Sequence, residues 1–172
     1  MDADIIFRTP NINDGAGIWR IVKESGVLDL NSAYMYLLLC KDFTDTCVVA
    51  ERNGELVGFV TGYRPPGRES AIFLWQVGVD ASCRGQGLGK KLVGAFLTNA
   101  GARGASMLET TISPSNKASQ ALFSAVARDL GTNIEKVPCF SAAQFPEAGH
   151  EDEDLYLIGP YDLAKPNQLA SN

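Results

Sequence analysis

The stretch of this sequence best suited to chemistry is Arg84-Gly85-Gln86-Gly87-Leu88-Gly89. Glycines at this spacing let the backbone turn sharply and aim several N–H groups at one point. A helix starting at Leu88 adds its own unpaired N–H groups and the positive end of its dipole. Together these make a cradle for a pyrophosphate. Arg84, Lys90 and Lys91 crowd the same helix start. Cations there are unfavourable by roughly 0.3–1 kcal/mol each, and a bound anion would remove the conflict. No Gly-Lys-Ser/Thr triplet follows, so this is not a Walker A loop. Read from Gly85, the spacing is Gly-x-Gly-x-Gly with no early βαβ unit around it, so the dinucleotide fingerprint is also missed.

Two further residues have types suited to moving a proton. His150 is the one histidine of the chain, in the run Gly149-His150-Glu151-Asp152-Glu153-Asp154. Imidazole is the side chain that ordinarily titrates near neutrality. Glu109 is the second candidate base, on the strand that follows the phosphate-loop helix. Each has a plain alternative. The acidic run also fits a solvated hairpin loop, and Glu109 fits a strand carboxylate facing solvent or paired with a lysine.

The elements that must position these residues follow from hydrophobic periodicity. Residues 5–8 read as a short strand. A helix over 14–24 has Ile18, Ile21 and Val22 on one face. Ser32 is placed to cap a second helix running to Cys40, with Met35, Leu38 and Leu39 inward. Strands at 46–51 and 56–63 flank Asn53-Gly54, a strong two-residue hairpin signal. Arg64-Pro65-Pro66-Gly67 is a turn. An apolar strand over 71–79 enters the phosphate loop. A helix over 88–100 follows, with Leu88, Leu92, Val93, Phe96 and Leu97 on one face and Gly101 to end it. Next come a strand over 107–112 and a helix over 117–130. That helix is striped with Ala118, Ala121, Leu122, Ala125 and Val126 and closed by Gly131. Strands at 134–140 and 155–159 complete the chain. The helix over 88–100 is a crossover of the length that parallel pairing needs, so the expected class is α/β with a mixed sheet.

Composition limits the function. The chain has 172 residues, enough for one domain at 1–163 with a frayed tail at 164–172. A net charge of -5 disfavours generic binding to nucleic acid or anionic membrane. No apolar stretch reaches bilayer length, and no basic segment with an apolar run opens the chain, so a cytoplasmic location is expected. Cys40, Cys47, Cys83 and Cys139 fit no zinc spacing and read as reduced thiols, so no metal is expected.

Arg-x-x-Gly-x-Gly after a strand ending Val77-Gly78-Val79 resembles the acetyl-CoA motif of the GNAT superfamily of N-acetyltransferases. The resemblance runs from about residue 5 to 158. It implies the GNAT fold, a central mixed sheet of about seven strands flanked by about four helices. It implies that main-chain groups of Val77 and Val79 bind pantetheine. It implies that Arg84, Gly85, Gln86, Gly87, Gly89 and Lys90 hold the pyrophosphate of acetyl-CoA. The stretch 116–123 resembles the family's Asn-x-x-Ala-x-x-Leu-Tyr helix, with Ser119 and Phe123 as departures. Asn116 would then contact CoA, or cap the helix, or both. Phe123 stands where a tyrosine often protonates the leaving thiolate, so that group is missing here. Gly78 inside an apolar strand is compatible with the family's bulge.

The chain is similar in particular to the GNAT branch that acetylates L-2,4-diaminobutyrate in ectoine biosynthesis. The stretches that carry this are Phe7-Arg8-Thr9-Pro10, residues 26–34, Gly62-Tyr63-Arg64-Pro65-Pro66, Leu74-Trp75-Gln76-Val77-Gly78-Val79 and 149–153. The branch implies acetylation at N4 by direct transfer in a ternary complex, with His150 and Glu109 as candidate catalytic residues. It suits Asp29 and Glu153 to pair with ammonium groups. It suits Tyr34 to hydrogen-bond the substrate and Trp75 to supply a wall and a cation–π face. Carboxylates beside an ammonium favour its charged form, so they must hold mainly the α-amine or pass the proton on. A backbone N–H near Val79 is the expected oxyanion donor. By family analogy the chain is a homodimer. The alternatives are a GNAT for another cationic amine, a non-catalytic acyl-CoA sensor, or a ping-pong enzyme using Cys83.

Overall fold

The computed structural model describes residues 4–164. The tail beyond Ala164 lies outside the described residues. Seven strands and four α-helices follow one another as β1 (Ile6–Arg8), α1 (Gly15–Ser25), α2 (Ala33–Asp42), β2 (Cys47–Arg52), β3 (Glu55–Tyr63), β4 (Ala71–Val79), α3 (Leu88–Thr98), β5 (Met107–Ile112), α4 (Lys117–Leu130), β6 (Ile134–Phe140) and β7 (Glu153–Ile158). The strands pair in the order β1-β2-β3-β4-β5-β7-β6. The chain forms two compact units. One takes the described residues of Met1–Arg64 with Leu74–Arg103, the other Pro65–Phe73 with the described residues of Gly104–Asn172.

The first unit holds β1, α1, α2, β2, β3, α3 and all of β4 past Phe73. Asn53 (φ 55°) and Gly54 (φ 80°) close the β2–β3 hairpin. Positive φ at both central residues gives the turn hand that matches strand twist. Ile18, Ile21, Val22, Tyr36, Leu39, Cys40, Val49 and Phe59 form its buried core. The α1 face is the expected one, but the α2 face is turned by one residue. Tyr36, Leu39 and Cys40 point inward while Met35 is exposed. Ser32 precedes α2, yet its side chain makes no capping hydrogen bond. All five expected inward residues of α3 are buried. The helix stops at Thr98, before Gly101, because the Asn99 side chain leaves the helix to donate to the Cys47 carbonyl oxygen at 2.9 Å. Gly101 instead packs where a Cβ would lie 2.4 Å from the Asp45 carbonyl oxygen. A Cβ at Gly78 would lie 2.4 Å from the fully buried Phe59 ring, so close packing demands that glycine.

In the second unit, β4 and β5 are parallel, as the crossover requires. Their pairs are Ala71–Met107, Ile72–Leu108 and Phe73–Glu109. β7 runs antiparallel to both β5 and β6. β7 begins at Glu153, earlier than the expected 155, which puts that carboxylate on the strand itself. The buried stripe of α4 is Phe123, Val126, Ala127 and Leu130, spaced i, i+3, i+4, i+7. Ala118 and Ala121 are exposed, contrary to expectation. Gly131 (φ 64°) closes the helix in the left-handed conformation.

Candidate active site

In the first unit, β4 delivers the chain to the phosphate loop. Trp75, Val77 and Val79 are half-buried, and alternate with buried Leu74, Gln76 and Gly78. After Val79 the chain makes a short 3-10 turn, Ala81–Cys83. Asp80 caps it, accepting from the Ser82 N–H at 2.9 Å and the Ser82 hydroxyl at 2.8 Å. Gly85 and Gly87 both take φ 74°, a conformation that side chains with a Cβ rarely adopt. Gly87 is the N-cap of α3 and supplies no side-chain cap. No acidic residue lies in the first turn. The helix start therefore keeps N–H groups and positive charge available for an anion, beside exposed Arg84 and half-buried Lys90. Arg84 donates from Nε to the Val79 carbonyl oxygen at 3.3 Å, and Gln86 from Nε2 to the Ser82 carbonyl oxygen at 3.2 Å. These bonds shape the loop.

Arg20 braces this loop from α1. Its guanidinium donates to Asp80 at 2.9 Å and to the Leu56 carbonyl oxygen at 3.0 Å. The Ser82 N–H, the Arg20 guanidinium and the Ser82 hydroxyl hold the Asp80 carboxyl down at about 2, below its ordinary 3.8. A depressed carboxyl contributes stability above its unfolded pKa and loses it as pH falls through the folded value. Asp80→Ala should cost about 1–2 kcal/mol at neutral pH, from the lost cap and ion pair. That gap should close as pH falls from 3.8 towards 2. Urea unfolding of both proteins across that range is the measurement.

Asp29 is exposed and Tyr34 projects into solvent at 68% exposure. Trp75 stacks on buried Tyr36, with ring centroids 6.3 Å apart and 15° between planes. Trp75 is also packed against the core cluster that holds Tyr36. Asp29 comes to β4 through its main chain, whose carbonyl oxygen accepts from the Gln76 amide at 2.9 Å. Cys83 is fully buried, which closes it to a thioester. All four cysteines are free, and burial pushes the Cys40 and Cys47 thiols up to about 12 and about 11.

In the second unit, Glu109 is buried on β5 rather than facing solvent, and is ion-paired to Arg68 at 2.8 Å. Taking a proton there would uncouple that pair. Glu153 pairs with Phe140 across β7 and β6. Burial, then the charges of Glu109 and Glu153, push the Cys139 thiol up, so both carboxylates act on one region of β5, β6 and β7. His150 sits in a structured loop. Its ring stacks on Phe145 with centroids 3.6 Å apart and 8° between planes. Its Nδ1 lies 2.7 Å from the Glu151 carbonyl oxygen. A carbonyl only accepts, so Nδ1 carries the hydrogen, and the neutral ring has its lone pair on Nε2. That is the tautomer a general base needs. Asn116 caps α4, accepting from the Ser119 N–H at 3.1 Å. Phe123 is buried in the α4 stripe. Among the described residues, no cluster of His, Cys, Asp and Glu is arranged to hold a metal. No described helix is long and apolar enough to cross a membrane.

A model of the acetyltransferase (GNAT) family matches residues 17–126, which span α1, β4, the phosphate loop and most of α4. The chain belongs to the GNAT acetyltransferase family. It is 47% identical over 157 residues to the L-2,4-diaminobutyric acid acetyltransferase of Marinococcus halophilus, covering 91% of each chain. It is 50% identical over 155 residues to the enzyme of the same name from Nocardia farcinica, covering 90% of this chain and 80% of that one. The structure of the diaminobutyrate acetyltransferase of Paenibacillus lautus, in complex with L-2,4-diaminobutyric acid and coenzyme A, is also similar. It superposes with a TM-score of 0.89 at 38% identity, covering 93% of this chain and 97% of that one. A structure of Ard1 from Thermoplasma volcanium shares the fold, with a TM-score of 0.74 at 16% identity.

Several residues around these candidates went unread in the sequence. Phe145, which orients the His150 ring, was signalled only by the capping box Ser141-x-x-Gln144 that builds its turn. Asp152, though exposed, accepts the Ala142 N–H at 2.6 Å, so part of the acidic run also helps to fold the loop. Arg20, Gln76 and Arg68 carried no local signal at all.

Proposed function

We propose that this chain transfers the acetyl group of acetyl-CoA to L-2,4-diaminobutyrate, giving N4-acetyl-L-2,4-diaminobutyrate for later ring closure to ectoine. The reading rests on one observation above all. Identity near one-half to diaminobutyrate acetyltransferases extends over nine-tenths of the chain, far past the shared phosphate loop. Residues 84–90 and the start of α3 take the pyrophosphate through N–H groups and cations. Main-chain groups of Val77 and Val79 take pantetheine, and Asn116 adds a CoA contact to its capping role. Asp29, Tyr34, Trp75 and Glu153 hold the amino acid.

A neutral amine must attack the thioester carbonyl. An alkyl ammonium titrates near 10.4, so a base must first remove a proton. His150 Nε2 takes that proton, and Glu109, ion-paired to Arg68, supplies a fixed charge. The C–N bond forms, the C–S bond breaks, CoA leaves as a thiolate, and the nitrogen sheds a second proton as the amide forms, which balances the one the thiolate takes up. Residue 123 is a phenylalanine, so the thiolate's proton comes from another donor. The reaction runs through a ternary complex in the cytoplasm, in a homodimer.

The test is acetyl-CoA turnover with L-2,4-diaminobutyrate, ornithine, lysine, spermidine and a kanamycin-type amine in parallel, with the product position read by NMR. Diaminobutyrate should be turned over fastest and be acetylated at N4. Turnover confined to another amine would keep the chemistry and discard this substrate. Tight CoA binding without turnover of any amine would mark an acyl-CoA sensor.

A further inference from the structure

β4 carries one polar side chain in its buried register. Gln76 is 5% exposed, between Leu74 and Gly78. A buried amide without partners is costly, and this one has two. Its Nε2 donates to the Asp29 carbonyl oxygen at 2.9 Å. Its Oε1 accepts from the Tyr36 hydroxyl at 3.0 Å. The orientation follows from chemistry, because a main-chain carbonyl can only accept and so must face the amide nitrogen. The two bonds tie β4 to α2 and to the segment between α1 and α2. Tyr36, which holds one end of the amide, also stacks on Trp75. Leu28, next to Asp29, packs on the core cluster that includes Tyr36. One side chain therefore sets the spacing between an aromatic wall at Trp75 and the main chain of an exposed carboxylate residue at Asp29.

We infer that Gln76 is a positioning residue that sets the acceptor specificity of the enzyme. It fixes the Asp29 segment relative to Trp75, and so selects the length of the amine held between them. This rests on the reading that Asp29 and Trp75 hold the amine. A site of fixed length separates substrates that differ by one methylene by about 10- to 200-fold. A loosened tether gives that discrimination up while leaving the phosphate loop untouched.

Two variants test this. Gln76→Leu removes both bonds with little change of volume. Gln76→Glu keeps an acceptor for Tyr36 and loses the donor to Asp29. Both should raise amide hydrogen exchange in residues 26–31, with no substrate present. Both should raise KM for diaminobutyrate about 10-fold, leave KM for acetyl-CoA within about twofold, and narrow the preference over ornithine. An equal loss of turnover with both substrates, at unchanged KM, would mean a merely structural role. Unchanged exchange in 26–31, or a retained preference, would overturn the inference directly. If the wild-type enzyme turns over only a different amine, the substrate reading fails by itself. The same variants are then measured on that amine and its one-methylene homologue, where a retained preference still overturns the role of Gln76.

Discussion

His150→Ala should lower kcat for amine acetylation by about 10²- to 10⁴-fold and leave the fold intact. The magnitude is that of a positioned base removed from the step it serves. The structure gives two reasons to expect the full effect. The ring is pinned face-on by Phe145 at 3.6 Å, and its Nδ1 is bonded to the Glu151 carbonyl oxygen at 2.7 Å. The hydrogen bond fixes the tautomer, and the two contacts together fix the direction of Nε2. Glu109 is the competing candidate, and Glu109→Gln separates the two. The amide keeps the shape and an acceptor for Arg68 but loses the charge. If Glu109 acts as a fixed charge, the glutamine variant should lose less activity than His150→Ala. Its pH–rate profile should keep the limb that His150→Ala abolishes. A glutamine variant that is the more damaged, with the histidine variant near normal at every pH, would exchange the two roles.

The parts of the fold that the sequence showed are those where side-chain contrast is high. β4, β5, α4 and β6 begin and end where periodicity and turn residues put them, and α3 buries all five of its expected residues. The buried face of α2 is turned by one residue from the expected one because its sequence, Ala33-Tyr34-Met35-Tyr36-Leu37-Leu38-Leu39-Cys40, is apolar on every side. A helix without polar contrast offers no phase to read. α4 buries Val126 as expected but departs elsewhere for a different reason. Alanines score as apolar yet cost little when exposed, so Ala118 and Ala121 mimicked a stripe that Phe123 and Val126 in fact set.

The candidate site divides in the same way. The phosphate loop is local, so its glycines and cations sit together in the chain as they do in space. The supporting residues are not local. Arg20 reaches Asp80 across 60 positions and Gln76 reaches Asp29 across 47. Arg68 reaches Glu109 across 41. No window along the sequence holds both partners. Only the tertiary fold brings such residues together, and no spacing rule reports it.

Gly87→Asp should separate binding from stability, and it bears hardest on the phosphate loop. An aspartate at an N-cap ordinarily stabilises a helix by about 1 kcal/mol, because its carboxylate accepts the free N–H groups and meets the positive dipole end. α3 has no such cap and three cations around its start, so the new charge is well placed electrostatically. The cost is conformational. Residue 87 has φ 74°, which opposes the capping gain by about 1–2 kcal/mol, although Asp tolerates it better than most residues. Stability should therefore change by no more than about 1 kcal/mol in urea unfolding. Acetyl-CoA binding should fail regardless, because the carboxylate occupies the N–H groups meant for pyrophosphate and repels its charge. A loss of about 2–3 kcal/mol, or roughly 30- to 150-fold in Kd, follows at an effective dielectric near 20. Calorimetric titration with CoA reads this without any amine present. Unchanged CoA affinity in a folded Gly87→Asp protein would mean that pyrophosphate does not sit at the start of α3. The bare helix start and its cations would then need another explanation.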